Sequence, residues 1–296
     1  MQTDLAKTLL KRFDRLKSNR QNWESHWQEV ADYMQPRKAD VTKTRSKGDK
    51  RTELVFDSSP MQAVELLAAS LHGMLTNPAT TWFSLRFKGG EFEDNDEAKA
   101  WLEDSTEVMY NAINKSNFQQ EIFELYHDLI TFGTAAMFIE EDDEDTLKYS
   151  TRHINEMYIS ENDKGRIDTI FRKFRLTARA AIQKFGANVS DNIVTVNRKD
   201  PYEEIEILHA IYPRSDFDPK KQDKVNMPFE SVYLEAGTGD ELSVSGFKEF
   251  PFVVPRYLKA SHEIYGRSPA MTALPDVKML NEMSKTTIKA AQKQVD

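Results

Sequence analysis

Cysteine is absent from this sequence of 296 residues. That absence excludes disulfide bonds, thiolate metal sites and thiol nucleophiles, and it fits synthesis in a reducing cytosol. Long hydrophobic runs are also missing: no stretch reaches the roughly 18 apolar residues that would predict a membrane span. The amphipathic N-terminus has neither the apolar segment nor the small-residue cleavage site of a secretory signal. Hydrophobic residues at 39% and charged residues at 30% instead indicate a globular protein.

Recognisable catalytic motifs are missing as well. The sequence has no phosphate-binding G-x-x-x-x-G-K-[ST] loop, no G-x-S-x-G nucleophile elbow and no H-E-x-x-H zinc motif. Its histidines are scattered singly and are therefore predicted to be structural or surface residues: His26, His72, His127, His153, His209 and His262. The residues thus predict a protein that is not an enzyme and that holds no cofactor or metal.

Charge is unevenly distributed along the chain. Residues 1–51 contain 13 Lys and Arg against 7 Asp and Glu, whereas residues 91–145 contain 17 Asp and Glu against Lys99 and Lys115. Two interpretations are open: both regions are solvated faces, or the protein sits between unlike neighbours. The acidic run at residues 140–145 lacks the glycine of a calcium loop, so we expect a solvated turn. The alternative is a carboxylate site for Mg²⁺ or Ca²⁺.

Hydrophobic periodicity predicts a helical first part. Ser58 or Ser59 is expected to cap the third helix with Pro60 in its first turn, and Ser116 with Gln119 has the spacing of a capping box. Gly133 follows the end of the fifth helix. The predicted helices cover about residues 4–18, 22–34, 58–77, 96–114, 116–132, 178–185 and 275–296.

The middle of the chain has strand-like composition. A short strand is predicted at residues 82–88, ending at Gly89 and Gly90, and Asp163-Lys164-Gly165 has the composition of a hairpin turn. Further β-type runs are AAMFIEE, TLKYSTRHI, MYISEN, RIDTIFRKFRL, EEIEILHAIYP, ESVYLEAG, ELSVSGF and FVVPRYL. A helical N-terminal part, a β-rich middle and a long C-terminal helix predict an α+β fold.

The segment Pro36–Arg51 is rich in cations and has no core-forming pattern. Its composition predicts an exposed, mobile loop. Lys and Arg in such a loop suit contacts with nucleic-acid phosphates, and a merely solubilising loop is the alternative. The candidate phosphate contacts are Arg37, Lys38, Lys43, Arg45, Lys47, Lys50 and Arg51.

The final helix has two unlike sides. At 100° per residue, one side gathers apolar residues: Val277, Leu280, Met283, Ile288, Ala291 and Val295. The opposite side gathers Lys278, Lys285, Lys289 and Lys293. Because the apolar side is thin, the helix is expected to need partner helices. The lysines form either a solvated face or a face towards a polyanion such as DNA.

Five segments, in this order along nearly the whole chain, resemble the portal, or head-to-tail connector, proteins of short-tailed double-stranded-DNA bacteriophages. The first three are WESHWQEVADYMQPR, then Asp57 followed by SSPMQAVELLAASLHGMLTNPATTWFSL, and SNFQQEIFELYHDLITFGTAAMF. The last two are MYISENDKGRIDTIFRKFRLT and VPRYLKASHEIYGRSPAMTALPDVKMLNEMSKTTIKAAQKQV. None is a catalytic signature by itself.

The resemblance implies a structural subunit of a virion, made late in infection in the host cytoplasm. Such subunits form a ring, usually a dodecamer, at one capsid vertex, and double-stranded DNA passes the ring during packaging and ejection. Capsid protein, terminase and tail adaptor proteins are the implied partners, and no membrane is involved.

By position, residues 1–262 resemble the portal wing and residues 263–296 the start of the stem helix. The clip, the returning stem helix and the crown have no counterpart in the sequence, so we expect an N-terminal fragment. Two alternatives to this function are a metal-dependent nucleic-acid enzyme that uses the acidic region and a free-standing DNA-binding adaptor.

Overall fold

The computed structural model describes residues 3–46, 48–88, 95–221, 223 and 225–295. The described residues form these helices: α1 Asp4–Met34, α2 Ser59–Leu75, α3 Asp96–Lys115, α4 Phe118–Phe132, α5 Ala178–Phe185, α6 Asp191–Lys199 and α7 Pro269–Val295. The strands are β1 Ala136–Asp142, β2 Thr146–Arg152, β3 Met157–Glu161, β4 Ile167–Thr177, β5 Glu204–Pro213, β6 Phe229–Glu235, β7 Glu241–Phe247 and β8 Phe252–Val253. The predicted α+β class is confirmed, as is each β-type run after residue 134. None of the described helices is long and apolar enough to span a membrane.

The chain divides into two compact units, neither of which is continuous in sequence. The first unit is Met1–Ser25 with Asn155–Pro251, and the second is His26–Ile154 with Phe252–Asp296. Helix α1 contributes residues to both units. The predicted division into a wing at residues 1–262 and a stem from residue 263 remains a prediction.

The first unit is built on an antiparallel sheet with the order β3-β4-β5-β6-β7. Because strand side chains alternate between faces, Leu208 and Ala210 of β5 pack with Leu9 and Phe13 of α1. Ile207, on the opposite face of β5, packs in a second core with α5 and α6. The turn at Asn162–Arg166 closes the β3–β4 hairpin, with Gly165 at φ +71°, as predicted.

Helix α1 is one continuous helix where periodicity predicts two. No Pro or Gly lies between residues 18 and 22, so nothing local ends the helix. The side chain of Arg20 lies in the interior of the first unit and is 1% exposed. It donates to the backbone oxygens of Met157 at 2.6 Å and Asn155 at 2.9 Å. Its guanidinium also lies 3.8 Å from the ring centroid of Tyr158. A polar residue in the expected gap is therefore part of the core.

The second unit surrounds α4. The indole Nε1 of Trp27 donates to the backbone oxygen of Phe132 at 3.0 Å, and the indole is fully buried. Helix α2 packs on α4, and His72 of α2 is hydrogen-bonded to Gln119 of α4 at 2.8 Å. A sheet with the order β2-β1-β8 completes this unit.

Several local predictions are wrong. Residues 82–88 form no strand, because side chains of α3 take the backbone donors: Tyr110 Oη accepts from Phe83 N at 2.7 Å and Thr106 Oγ1 from Leu85 N at 3.2 Å. Gly89 and Gly90, predicted to end that strand, lie outside the described residues. Helix α6, capped by Ser190, was not predicted, because α6 is only 9 residues long and mostly polar.

Two helix caps are made by other side chains than the predicted ones. The Ser58 side chain makes no capping bond at α2; the carboxylate of Asp57 accepts from Ser59 N at 2.8 Å instead. The predicted capping box of Ser116 and Gln119 does not form, because Asn117 occupies the cap position and Gln119 Oε1 bonds His72.

Candidate functional surface on the C-terminal helix

Helix α7 is attached through its N-terminus. Ser268 is 1% exposed, and its hydroxyl accepts from Met271 N and donates to the backbone oxygen of Thr131, both at 2.9 Å. Pro269 then occupies the first helical position, which needs no amide donor. The helix thus begins six residues before the predicted start at Pro275, which lies inside it. Ser268 and Pro269 repeat the Ser59-Pro60 pair that indicated the start of α2. The same signal was therefore present in the sequence for the start of α7.

A glycine pair fixes the chain that leads into α7. Gly133 ends α4 with φ +74° and its N–H bonds the Leu129 oxygen, as predicted for a glycine past a helix end. A Cβ on Gly133 would lie 2.3 Å from the Gly266 oxygen, and a Cβ on Gly266 would lie 2.3 Å from the Gly133 oxygen. Thr134 Oγ1 also accepts from Gly266 N at 2.7 Å. Only glycine fits either position, so α7 begins at a fixed point within the second unit.

The middle of α7 is held by one carboxamide. Asn281 is 3% exposed; its Oδ1 accepts from Phe56 N at 2.7 Å and its Nδ2 donates to the Leu54 oxygen at 2.9 Å. The Asn281 side chain therefore satisfies the N–H of Phe56 and the C=O of Leu54, which lie in a segment without helix or strand. The sequence gives no indication of this role of Asn281, because an Asn within a helical pattern carries no signal about a partner more than 220 residues away.

Beyond Lys285, α7 is uncovered. Residues 286–294 are all exposed, and the 27-residue helix extends about 40 Å at ~1.5 Å per residue. The predicted apolar side is open as well, with Leu280 40%, Met283 59% and Ile288 46% exposed. The side chain of Val295, also assigned to that side, lies outside the described residues. The distal part of α7 therefore offers an apolar side that this chain does not cover.

The four lysines predicted on one side of α7 fall into two pairs with different surroundings. Lys278 pairs with Glu29 of α1, whose carboxylate raises the pKa of that lysine. Lys285 Nζ lies 3.0 Å from Glu282 Oε1 and 5.6 Å from the centroid of the Phe56 ring. The two C-terminal lysines, Lys289 and Lys293, are instead exposed and carry no ion pair within the described residues.

The basic segment after α1 is tied to the second unit, unlike the mobile loop that composition predicts. The Gln28 carboxamide accepts from Val41 N at 3.0 Å and Thr42 N at 2.8 Å, and it donates to the Ala39 oxygen at 2.6 Å. Gln28 lies inside α1, so its sequence position gave no signal of this role. After residue 38, the described residues of this segment have no helix or strand, and the Gln28 side chain bonds part of their backbone.

Five of the seven cations in this segment are ion-paired within the second unit. They are Arg37 with Glu124, Lys38 with Glu124 and Asp128, Lys43 and Arg45 with Asp32, and Arg51 with Asp40. Lys50 is exposed, and Lys47 lies outside the described residues. The pairs partly neutralise the segment, and its contact with phosphates remains a prediction.

Glu124 is the most perturbed acid of this network. Burial raises its pKa, but the hydrogen bonds and charges of Arg37 and Lys38 outweigh burial and lower the pKa to about 2. Glu124 is therefore ionised near neutral pH and holds the basic segment against α4.

Residues 143–145 of the acidic run form the β1–β2 turn, as predicted, whereas residues 140–142 are the end of strand β1. Asp142 pairs with Thr146, and Asp142 Oδ2 accepts from Asp145 N at 3.0 Å. Across the described residues, no group of three or more His, Asp or Glu side chains has the geometry to hold a metal ion. The geometry therefore defines a class: an α+β protein whose distinctive surface is an uncovered helix suited to macromolecular contacts.

Comparison with known proteins identifies the family. The profile of the bacteriophage head to tail connecting proteins matches residues 6–296. A probable portal protein of Bordetella phage BPP-1 is 34% identical over 279 residues, which cover 93% of this chain and 50% of that protein. The portal protein of Salmonella phage epsilon15 is 35% identical over 278 residues, which cover 92% and 50%. The chain belongs to the bacteriophage head-to-tail connecting protein family and spans about half the length of these relatives.

Proposed function

We propose that this chain is a structural, non-enzymatic part of a phage portal subunit in the virion. The observation that carries the proposal is α7, which is locked at its start by Ser268 and Gly266 and open beyond Lys285. A helix of that kind suits assembly with neighbouring subunits, because its apolar side has no partner within the described chain. Family membership and the two portal relatives support this function.

The proposal extends to the assembly. The full-length protein forms a ring, twelve-fold as in the family resemblance, at a capsid vertex. Residues 1–262 contribute to the wing, and residues 263–296 start the stem around a channel. Double-stranded DNA passes that channel during packaging and ejection, and capsid protein, terminase and tail adaptors bind the ring. The resemblance supports these details, together with synthesis late in infection.

Lysines of α7 are the proposed DNA contacts, with Lys285, Lys289 and Lys293 towards the channel and Lys278 at their base. DNA must slide, so contacts with it have to be weak and independent of sequence. Flexible ammonium groups suit that task better than bidentate guanidinium groups. The competing role is pairing of the same lysines with acids of an adjacent subunit.

Charge reversal tests both the assembly and the lysines. In the full-length protein, we expect Lys285→Glu, Lys289→Glu and Lys293→Glu together to leave rings intact in electron micrographs and to impair DNA packaging or retention. The matched control reverses Lys11, Lys17 and Lys199, which are exposed in the first unit, and should change neither property. Loss of rings only in the α7 variant assigns these lysines to subunit pairing. A monodisperse monomer of the unmodified full-length protein contradicts the portal proposal itself.

A further inference from the structure

Helix α3 of the second unit is attached by one side and open on the other. On the attached side, Tyr110 and Thr106 accept hydrogen bonds from the backbone of residues 83 and 85. On the open side, Trp101 is 61% exposed and Val108 is 68% exposed. Trp is among the residues that contribute most to binding when a partner protein covers them. The open side of α3 therefore offers an apolar surface on a helix whose orientation is fixed.

The open side of α3 is also acidic. Glu97, Trp101, Asp104 and Val108 follow one another at spacings of four, three and four residues, so they share one side of the helix. Both carboxylates are exposed, and the described part of the chain provides no ion pair for either. Over the whole helix, five carboxylates stand against two lysines. These charges repel DNA phosphates and anionic lipids, so this side suits a protein surface with apolar and cationic side chains.

A surface with that chemistry lies after β8, at residues 257–259. Tyr257 is 41% exposed, Leu258 is 61% exposed, and Lys259 beside them is exposed as well. Residues 256–267 contain three Lys and Arg against one Glu. The backbone here is held in place, because Tyr257 N donates to the Gly133 oxygen at 2.9 Å and Leu258 N donates to the Arg267 oxygen at 3.2 Å. The exposed apolar side chains are therefore presented by a bonded backbone.

We propose that the open side of α3 binds residues 257–259 of a second copy of this chain. The two apolar side chains of residues 257 and 258 cover Trp101 and Val108, and the ammonium group of Lys259 lies near the carboxylates of α3. The two surfaces are opposite in charge and are both fixed by hydrogen bonds, so little conformational freedom is lost when they meet. The inference rests on the proposed function, because it names one contact between neighbouring subunits of the ring.

The two surfaces differ from each other, so the contact is head-to-tail. Each copy uses α3 towards one neighbour and residues 257–259 towards the other. Repeated contacts of this type close into a ring when the rotation between copies allows closure. Two other cationic helices fit α3 less well. Helix α7 carries its lysines and its apolar residues on opposite sides, and residues 4–19 of α1 expose cations but no large apolar side chain.

Cross-linking tests the contact directly, because this sequence contains no cysteine. The full-length protein is used, with any cysteine outside these 296 residues replaced by serine. We expect Val108→Cys combined with Leu258→Cys to give a ladder of covalent oligomers with a short bismaleimide on denaturing gels. The matched control combines Val108→Cys with Tyr202→Cys, since Tyr202 is 69% exposed in the first unit, and should give no ladder. A ladder from either single variant, or none from the first pair, overturns the proposal.

Charge reversal supplies a second, independent measurement. Glu97→Lys with Asp104→Lys places cations against Lys259, and Lys259→Glu places like charges together from the other side. We expect each change to raise the subunit concentration that gives half of the protein in rings by at least about ten-fold, because the repulsion recurs at every contact. Combining all three changes should restore the original concentration.

Asp143→Lys with Glu144→Lys, in the exposed β1–β2 turn, is the matched control for charge and should leave that concentration unchanged. Rings that tolerate both reversals, or a combination that does not restore them, overturn the contact between α3 and residues 257–259 while the portal proposal stands. A monodisperse monomer of the unmodified full-length protein overturns the portal proposal and this contact together, so the two failures are distinguishable.

Discussion

Contacts between single atoms fix where helix α7 begins in the second unit. The oxygens of Gly133 and Gly266 each occupy the space that a Cβ on the other glycine would need. The sequence indicated Gly133 from its place after a predicted helix. It gave no sign of Gly266, because their close approach depends on segments 133 residues apart.

Gly266→Ala is the first prediction at this scale. Its φ is not in the left-handed region, so the effect isolates the clash of the new Cβ with the Gly133 oxygen. We expect the free energy of unfolding to fall by about 1–3 kcal/mol, the usual cost of overpacking. Chemical denaturation with an unchanged m value measures this.

The matched control for that change is Gly73→Ala. Gly73 lies in α2, and a Cβ there would meet no atom within 4 Å. Alanine restricts the unfolded chain without a clash, so stability should rise by about 0.5–1 kcal/mol. If both variants lose stability equally, the close approach of the two glycines is not the reason for the cost.

At the scale of elements, regular patterns predicted most of the fold. Period-two runs located β1 to β8, and α5 was predicted at its observed bounds, because these patterns depend only on neighbouring residues. Two of the errors share one cause, which is satisfaction of the backbone by distant side chains. At residues 82–88, the side chains of Tyr110 and Thr106 accept the backbone N–H groups that a neighbouring strand would otherwise bond. Gln28 likewise bonds the backbone of the basic segment that composition predicts to be mobile.

The candidate site was predictable in part for the same reason. The lysine and apolar sides of α7 follow from its sequence alone, since a helix has a fixed angle per residue. The pairing of Lys278 with Glu29 and the role of Asn281 depend on tertiary contacts. Sequence therefore predicted which residues share a side of α7 but not which of them this chain already engages.

The ion pairs that hold the basic segment predict a pH dependence. Glu124 has a pKa of about 2 in the folded chain against 4.5 for the ordinary carboxyl group. A lowered folded pKa means that the pairs with Arg37 and Lys38 stabilise the chain above about pH 4.5 and that this stability is lost as the pH falls towards 2. After allowance for the solvent-exposed part of Glu124, we expect on the order of 1 kcal/mol.

Glu124→Gln checks this pH dependence. The variant should be less stable than the unmodified chain at pH 7, and the difference should shrink as the pH falls from 5 towards 3. Glu144→Gln, in the exposed hairpin turn, is the matched control and should show no such trend. A difference that stays constant across this range would show that Glu124 acts by packing and not by its charge.

At the scale of the whole molecule, the two compact units predict two separate unfolding events. Each has its own buried residues: Leu208 of the first unit is fully buried, and Ile130 of the second is 2% exposed. Truncating such a side chain to alanine typically costs about 2–5 kcal/mol. Because each loss falls within one unit, we expect Leu208→Ala and Ile130→Ala to lower different transitions in a calorimetric scan. A single transition that both variants lower equally would show that the chain unfolds as one cooperative unit.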